Sequence, residues 1–298
     1  MLLIIEALLL ISAALGQDHR DAAVPGQIYS LDMALNSVDD QYIGCTENMT
    51  NIIKTEKLES EKNNSSVFNE AWQEGKKKST SPENNLTESH SIAIFVYTVN
   101  DSRIYSNFNN AVYKGKQNYT ENKFMWYSLH FLLTTAIQIL KKTQDRCCLT
   151  YRGTQFQYKE SSVLNQEVRF GSFASSSFNR IVAESFGSKT CFEIYTCEGA
   201  DVTKYSKYPY QKEVLIPPYE TFKITAVKKK QDQNDLWCET VFVLNSTRKK
   251  SDLNCGTVVT VFNSGNHVSY CELEIVLALY FLCFLDLSES TYVSEGFY

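Results

Sequence analysis

Gln211 and Glu213 stand two residues apart, directly before the apolar run Val214-Leu215-Ile216, and Pro217-Pro218 closes the segment. On a strand, side chains alternate between faces, so Gln211 and Glu213 would share one face while Lys212 looks the other way. A fixed carboxylate and a neighbouring amide would then face one spot. Two upstream stretches carry further polar chemistry: Tyr151-Arg152-Gly153-Thr154 and Phe173-Ala174-Ser175-Ser176-Ser177. Arginine presents a planar fork of donors and keeps its charge, so Arg152 suits an anionic group such as a phosphate. Taken singly, each stretch has a plainer reading: an ion-paired structural arginine, a serine-rich loop capping a helix, and a surface glutamate at the start of a strand.

The elements that must position these residues change character along the chain. Apolar spacing predicts helices over 39–62, 67–78, 107–113 and 123–142; in the last, Phe124, Leu129, Leu132, Leu133, Ala136, Ile137 and Leu140 recur at helical intervals. The β-branched and aromatic residues of 91–99 predict a strand between them. The second half reads as strands over 148–151, 167–171, 190–197, 213–216, 221–227, 237–244 and 257–262. Helices first and strands afterwards indicate an α+β fold, a helical N-terminal half packed on a two-sheet, strand-rich C-terminal core. One domain over 27–262 is the simplest description.

The chain has 298 residues, 43% of them hydrophobic, enough for a packed core, and a formal charge of −5 that argues against general nucleic-acid binding. Its short basic runs, 76–78, 228–230 and 248–250, read as solvated turns. Residues 2–15 are apolar apart from Glu6 and Ser12, and small residues follow, so 1–16 reads as a cleaved secretory signal. The sugar-acceptor pattern Asn-x-Ser/Thr occurs at Asn48, Asn63, Asn64, Asn85, Asn100, Asn118 and Asn245. Chance would give about two or three, so signal and acceptors together favour secretion. Nine cysteines in a secreted chain make disulfides the default, with at least one left over. No Cys-x-x-Cys pair occurs and His19, His90, His130 and His267 are scattered, so no metal site is expected. The tail, 263–298, contains an apolar run at 275–285 that reads either as part of a removed glycolipid-anchor signal or as the end of a plainly secreted chain.

No Gly-x-Gly-x-x-Gly, phosphate loop, His-Glu-x-x-His or Gly-x-Ser-x-Gly pattern is present, so any nucleotide site must be built otherwise. Position by position, the three motifs resemble the arginine-specific ecto-mono-ADP-ribosyltransferases, a family of secreted or glycolipid-anchored enzymes whose signature is Arg, then Ser, then Glu-x-Glu. The likeness covers roughly 31–255. It implies an ADP-ribosyltransferase fold with NAD+, or alternatively NADP+, as co-substrate and no metal. It further implies that Arg152, with Gly153, grips the NAD phosphates or nicotinamide ribose, that Ser175 lines the nicotinamide site and orients the catalytic glutamate, and that Glu213 is that glutamate. Breaking the nicotinamide glycosidic bond leaves positive charge on the ribose, which a preorganised carboxylate stabilises. The resemblance also implies disulfides Cys45–Cys255 and Cys147–Cys197. Cys148, Cys191, Cys238 and Cys271 fall outside that pattern, as does Cys283 in the tail.

In one position the chain departs from the family. Arginine-specific members carry glutamate two residues before the catalytic one, where this chain has Gln211. A neutral amide accepts a hydrogen bond but offers no charge attraction to a guanidinium. Three readings therefore stand: transfer of ADP-ribose to a protein side chain, with exposed arginine first by family; hydrolysis of NAD+; and a surface glycoprotein that keeps the fold without turnover. The expected setting is secretion or the outer face of the plasma membrane, as a monomer.

Overall fold

The computed structural model describes residues 27–99, 101–144 and 146–256. The leader 1–16, Asn100, the strand expected over 257–262, Cys271 and the tail 263–298 lie outside the described residues.

Helices occupy the first half: α1 Thr46–Ile52, α2 Leu58–Asn64, α3 Ser66–Lys78, α4 Glu88–Thr98, α5 Ser102–Lys114, α6 Lys116–Thr120 and α7 Tyr127–Lys141. The continuous helix expected over 39–62 is corrected at both its start and its middle. Residues 39–45 are irregular because Asp39 and Asp40 accept hydrogen bonds from distant partners, and a π turn, Ile53–Lys57, joins α1 to α2. The strand expected over 91–99 is helix α4. Every residue from His90 to Thr98 is buried, so burial on all sides erases the helical period and leaves only β-like composition in view. Thr87 caps the helix, its hydroxyl accepting from His90 N while Thr87 N donates to His90 Nδ1.

Among the described residues ten strands follow or flank these helices: β1 Ile28–Tyr29, β2 Cys148–Thr154, β3 Gln157–Tyr158, β4 Glu167–Val168, β5 Ala174–Ser177, β6 Thr190–Thr196, β7 Ala200–Asp201, β8 Glu213–Ile216, β9 Glu220–Lys229 and β10 Thr240–Lys249. One further helix, α8 Arg180–Ser185, lies between β5 and β6. β1 and β3 form a small parallel pair, and the other eight make one sheet in the order β4-β9-β10-β6-β2-β5-β8-β7. Within it β10 and β6 run parallel and all other neighbours antiparallel. Tyr29, Phe156 and Tyr158 of the small sheet region share a core with Phe192, Ile194, Phe222, Phe242 and Leu244 of the large one.

Two features tie the stretch before α1 to the stretch after β10. A disulfide joins Cys45 to Cys255 across a sequence separation of 210. Beside it Asp39 takes Arg169 Nη1 at 2.6 Å and the backbone amides of Asp252 and Leu253 at 3.0 Å. A second disulfide, Cys147–Cys197, ties β2 to the end of β6, and a third, Cys191–Cys238, was not foreseen from the sequence. Cys148 is the free thiol among the described residues.

Candidate active site

β2 and β5 are neighbours in the sheet yet meet at a single pair, Tyr151 with Ser177, while β5 and β8 pair along four residues. The sheet therefore splays between β2 and β5. Arg152 enters this opening from β2, Ser175 borders it on β5, and Glu213 begins β8. Ser177 pairs with Glu213 and Ser175 with Leu215, so Ser175, Ser177 and Glu213 share one face.

Arg152 donates from Nη1 to the backbone oxygen of Ser175 at 2.7 Å, tying β2 to β5 where their ladder is open. Below them Phe173 is fully buried, stacked on Phe108 at 5.5 Å and edge-on to His130 at 5.4 Å. Tyr97 of α4 donates to Phe173 O at 3.0 Å and accepts from Asn109 of α5 at 3.1 Å. The helical half thus fixes the backbone immediately before the serine cluster.

Gln211 does not sit on a strand. It ends a 3-10 turn, Pro209–Gln211, and Lys212 follows in the left-handed region at φ 47°. The expected alternation therefore fails at Lys212, but the turn still presents Gln211 and Glu213 to the same hollow. The turn is anchored by Ser177 Oγ, which donates to Gln211 O at 2.6 Å, and by Phe178 N, which donates to Lys212 O at 3.1 Å.

Two hollows meet at Ser175. One is bordered by Tyr151, Arg152, Gly153, Ser175 and Phe186. The other is bordered by Tyr97, Tyr105, Ser175, Tyr208, Gln211 and Glu213. Tyr97 and Tyr105 escaped sequence reasoning because their segments offered no polar motif and 91–99 read as a strand. Gly153 has a structural reason beyond any ligand: a Cβ there would lie 2.3 Å from the carbonyl oxygens of both Ala183 and Gly187. Only glycine lets α8 approach β2 so closely.

Glu213 is 1% exposed, and neither of its carboxylate oxygens has a hydrogen-bond partner within the protein. Ser175 Oγ also lacks one, although it stands close enough to favour the ionised carboxylate. Burial raises the Glu213 pKa to about 7, opposed by Ser175 and by the charge of Arg152. Buried polar atoms left unpaired cost stability, so their concentration in one cleft marks a place built for a polar ligand. The positions fit a ligand with both anionic groups and a centre of developing positive charge. Among the described residues no cluster of three or more metal-ligating side chains occurs.

The profile of the family described as NAD:arginine ADP-ribosyltransferase matches residues 31–252, which contain every element of this cleft. The chain belongs to that family. The NAD:arginine ADP-ribosyltransferase relatives include the T-cell ecto-ADP-ribosyltransferase 2 of Mus musculus, 35% identical over 283 residues, covering 89% of this chain and 91% of its own length. The GPI-linked NAD(P)(+)-arginine ADP-ribosyltransferase 1 of Mus musculus is 36% identical over 212 residues, covering 65% and 64%. Among solved structures, the eukaryotic mono-ADP-ribosyltransferase ART2.2 superposes with a TM-score of 0.61 at 33% identity, over 76% of this chain and 98% of that one. A variant of ART2.2 has been solved in complex with NAD. The fold is that of the ADP-ribosyltransferases, and NAD+ is the co-substrate.

Proposed function

We propose that this chain acts outside the cell, cleaving the bond between nicotinamide and ribose of NAD+ and passing ADP-ribose to an arginine side chain of another protein. The observation that carries the reading is the buried Glu213 carboxylate with both oxygens uncommitted, in one cleft with Ser175 and Gln211. As nicotinamide departs with the bonding electrons, the ribose becomes cationic. Glu213 stabilises that charge in a site of low dielectric, and the acceptor then bonds the anomeric carbon and loses a proton. Arg152 supplies positive charge for the dinucleotide phosphates and holds the Ser175 backbone in place. Ser175 keeps Glu213 ionised.

Arginine as acceptor, use of NADP+ and attachment by a glycolipid rest on the likeness to the GPI-linked NAD(P)(+)-arginine ADP-ribosyltransferases rather than on this cleft. Gln211 favours a second reading, hydrolysis of NAD+, because an amide cannot attract a guanidinium by charge. Labelled NAD+ supplied with and without agmatine separates the two: label on agmatine supports transfer, and nicotinamide release unaffected by agmatine supports hydrolysis. No NAD+ consumption at all would sink both. The mass of the mature C-terminus tests the glycolipid.

A further inference from the structure

The outer face of the large sheet carries a row of exposed side chains that the cleft does not use. Register places Leu149 of β2 opposite Tyr195 of β6, Tyr195 beside Asn245 of β10, and Asn245 opposite Lys223 of β9, with Glu167 of β4 at the end. Registered partners point to one face, and the residues next to them, Ile194, Leu244 and Phe222, enter the core on the other. Leu149 is 48% exposed and Tyr195 46%, so two large apolar groups lie side by side on an open sheet surface. On the other flank of Asn245 the row is charged.

Asn245 opens the acceptor sequence Asn245-Ser246-Thr247 and is itself exposed. Among the described residues it is the one acceptor asparagine that lies within a strand; the others belong to helices or their connections. Neighbouring strands lie about 4.8 Å apart, so a sugar on the Asn245 amide starts within one ring's width of Tyr195. A sugar ring has an apolar face of C–H groups, which carry partial positive charge and are attracted to the negative face of an aromatic ring.

We propose that Asn245 carries an N-linked glycan whose first N-acetylglucosamine lies on the ring of Tyr195 and against Leu149, and so covers this face of the sheet. In the covalent step the Asn245 amide nitrogen bonds the anomeric carbon of a lipid-diphosphate-linked oligosaccharide, losing a proton as the lipid diphosphate leaves. The proposal rests on the extracellular reading above but not on chemistry at Glu213. The sugar then gives a polar cover to the apolar pair Leu149 and Tyr195, which the charged residues on the far flank of Asn245 do not reach by register.

The test uses the full chain made in a glycosylating eukaryotic host. Mass spectrometry of the glycopeptide is expected to show Asn245 occupied. Tyr195→Ser is then expected to lower the melting temperature by about 2–4 °C in the glycosylated protein, the shift one such contact gives in a domain of this size. In an Asn245→Gln background the same substitution is expected to change it by under about 1 °C. Trimming the glycan to its first sugar is expected to preserve the difference. Equal losses in both backgrounds would overturn the proposal, as would an empty Asn245 beside other occupied sites, which leaves the extracellular reading standing. If no acceptor carries sugar, both fail. Self-association of the occupied protein that Tyr195→Ser abolishes would show a second copy covering the face, and would also overturn the proposal.

Discussion

Arg169 and Asp39 meet at 2.6 Å with both side chains wholly removed from solvent. Arg169 also donates to the backbone oxygens of Met33, Ala34 and Lys250, so its charge is matched and each of its three nitrogens donates. Such a pair contributes little net stability while intact, because desolvation offsets the attraction, but losing one partner strands the other. Asp39→Ala is therefore expected to cost about 3–5 kcal/mol in denaturant unfolding. A change under about 1 kcal/mol would show that water enters to solvate Arg169.

Burial raises the Glu213 carboxyl to about 7, and in the proposed reaction only its ionised form stabilises the cationic ribose. The kcat/KM for NAD+ consumption is expected to fall tenfold per pH unit below about 7 and to level off above it, since this ratio reports the free enzyme. Glu213→Gln is expected to lower the rate by about 10²- to 10³-fold and to remove that limb of the profile. A variant that kept the limb would place the titrating group elsewhere.

The same ionisation carries a stability sign. The folded-state pKa of about 7 exceeds the ordinary value of 4.5, so the folded state holds this proton more tightly than the unfolded one. The resulting stabilisation is full below pH 4.5, declines between 4.5 and 7, and is absent above 7. Without NAD+, Glu213→Gln is expected to be more stable than the natural protein at pH 8 by up to roughly 3 kcal/mol, and close to it at pH 4. Thermal unfolding at the two pH values checks the crossover, and a deficit at pH 8 would contradict it.

At position 211 the expectation concerns the fate of ADP-ribose. Gln211→Glu adds a charge beside the cleft, and one charge-assisted contact to a guanidinium is worth about 1.4 kcal/mol or more. The ratio of agmatine labelling to free ADP-ribose should rise roughly tenfold. An unchanged ratio would detach acceptor choice from this residue.

Gly153→Ala tests the seat of α8. The added Cβ collides with two backbone oxygens, which cannot swing aside as a side-chain end could. A loss of about 1–3 kcal/mol is expected, along with weaker NAD+ binding as Ala183 and Phe186 are displaced at the hollow they border. Unaltered stability would mean that the helix moves at no cost.

The parts of this molecule that alternate or recur on one face were legible before any coordinates. Val214-Leu215-Ile216 and the stripe from Leu129 to Leu140 fall where their patterns place them. Two kinds of residue misled. Ile92, Ile94, Phe95 and Val96 are buried on every side of α4, so no polar face announces a helix. Lys212 takes a left-handed conformation that neither its type nor its neighbours announce, so Gln211 ends a 3-10 turn ahead of the expected strand 213–216 yet still faces the cleft. Arg152, Ser175 and Glu213 were singled out by their likeness to the family's signature, each having a plainer reading when taken singly, whereas the aromatic wall of Tyr97 and Tyr105 depends on how α4 and α5 pack.

The Cys45–Cys255 bridge gives the fold a mechanical character as well. A pull applied at Gly256 enters the folded unit at Cys255 and passes through a covalent link directly to Cys45, beside the buried Asp39. The backbone from Cys255 back to β10 offers a second covalent route, so the bridge divides a load that strand β10 would otherwise meet alone. Tension on this end is shared with the segment before α1, which eases the force on the sheet that holds the cleft.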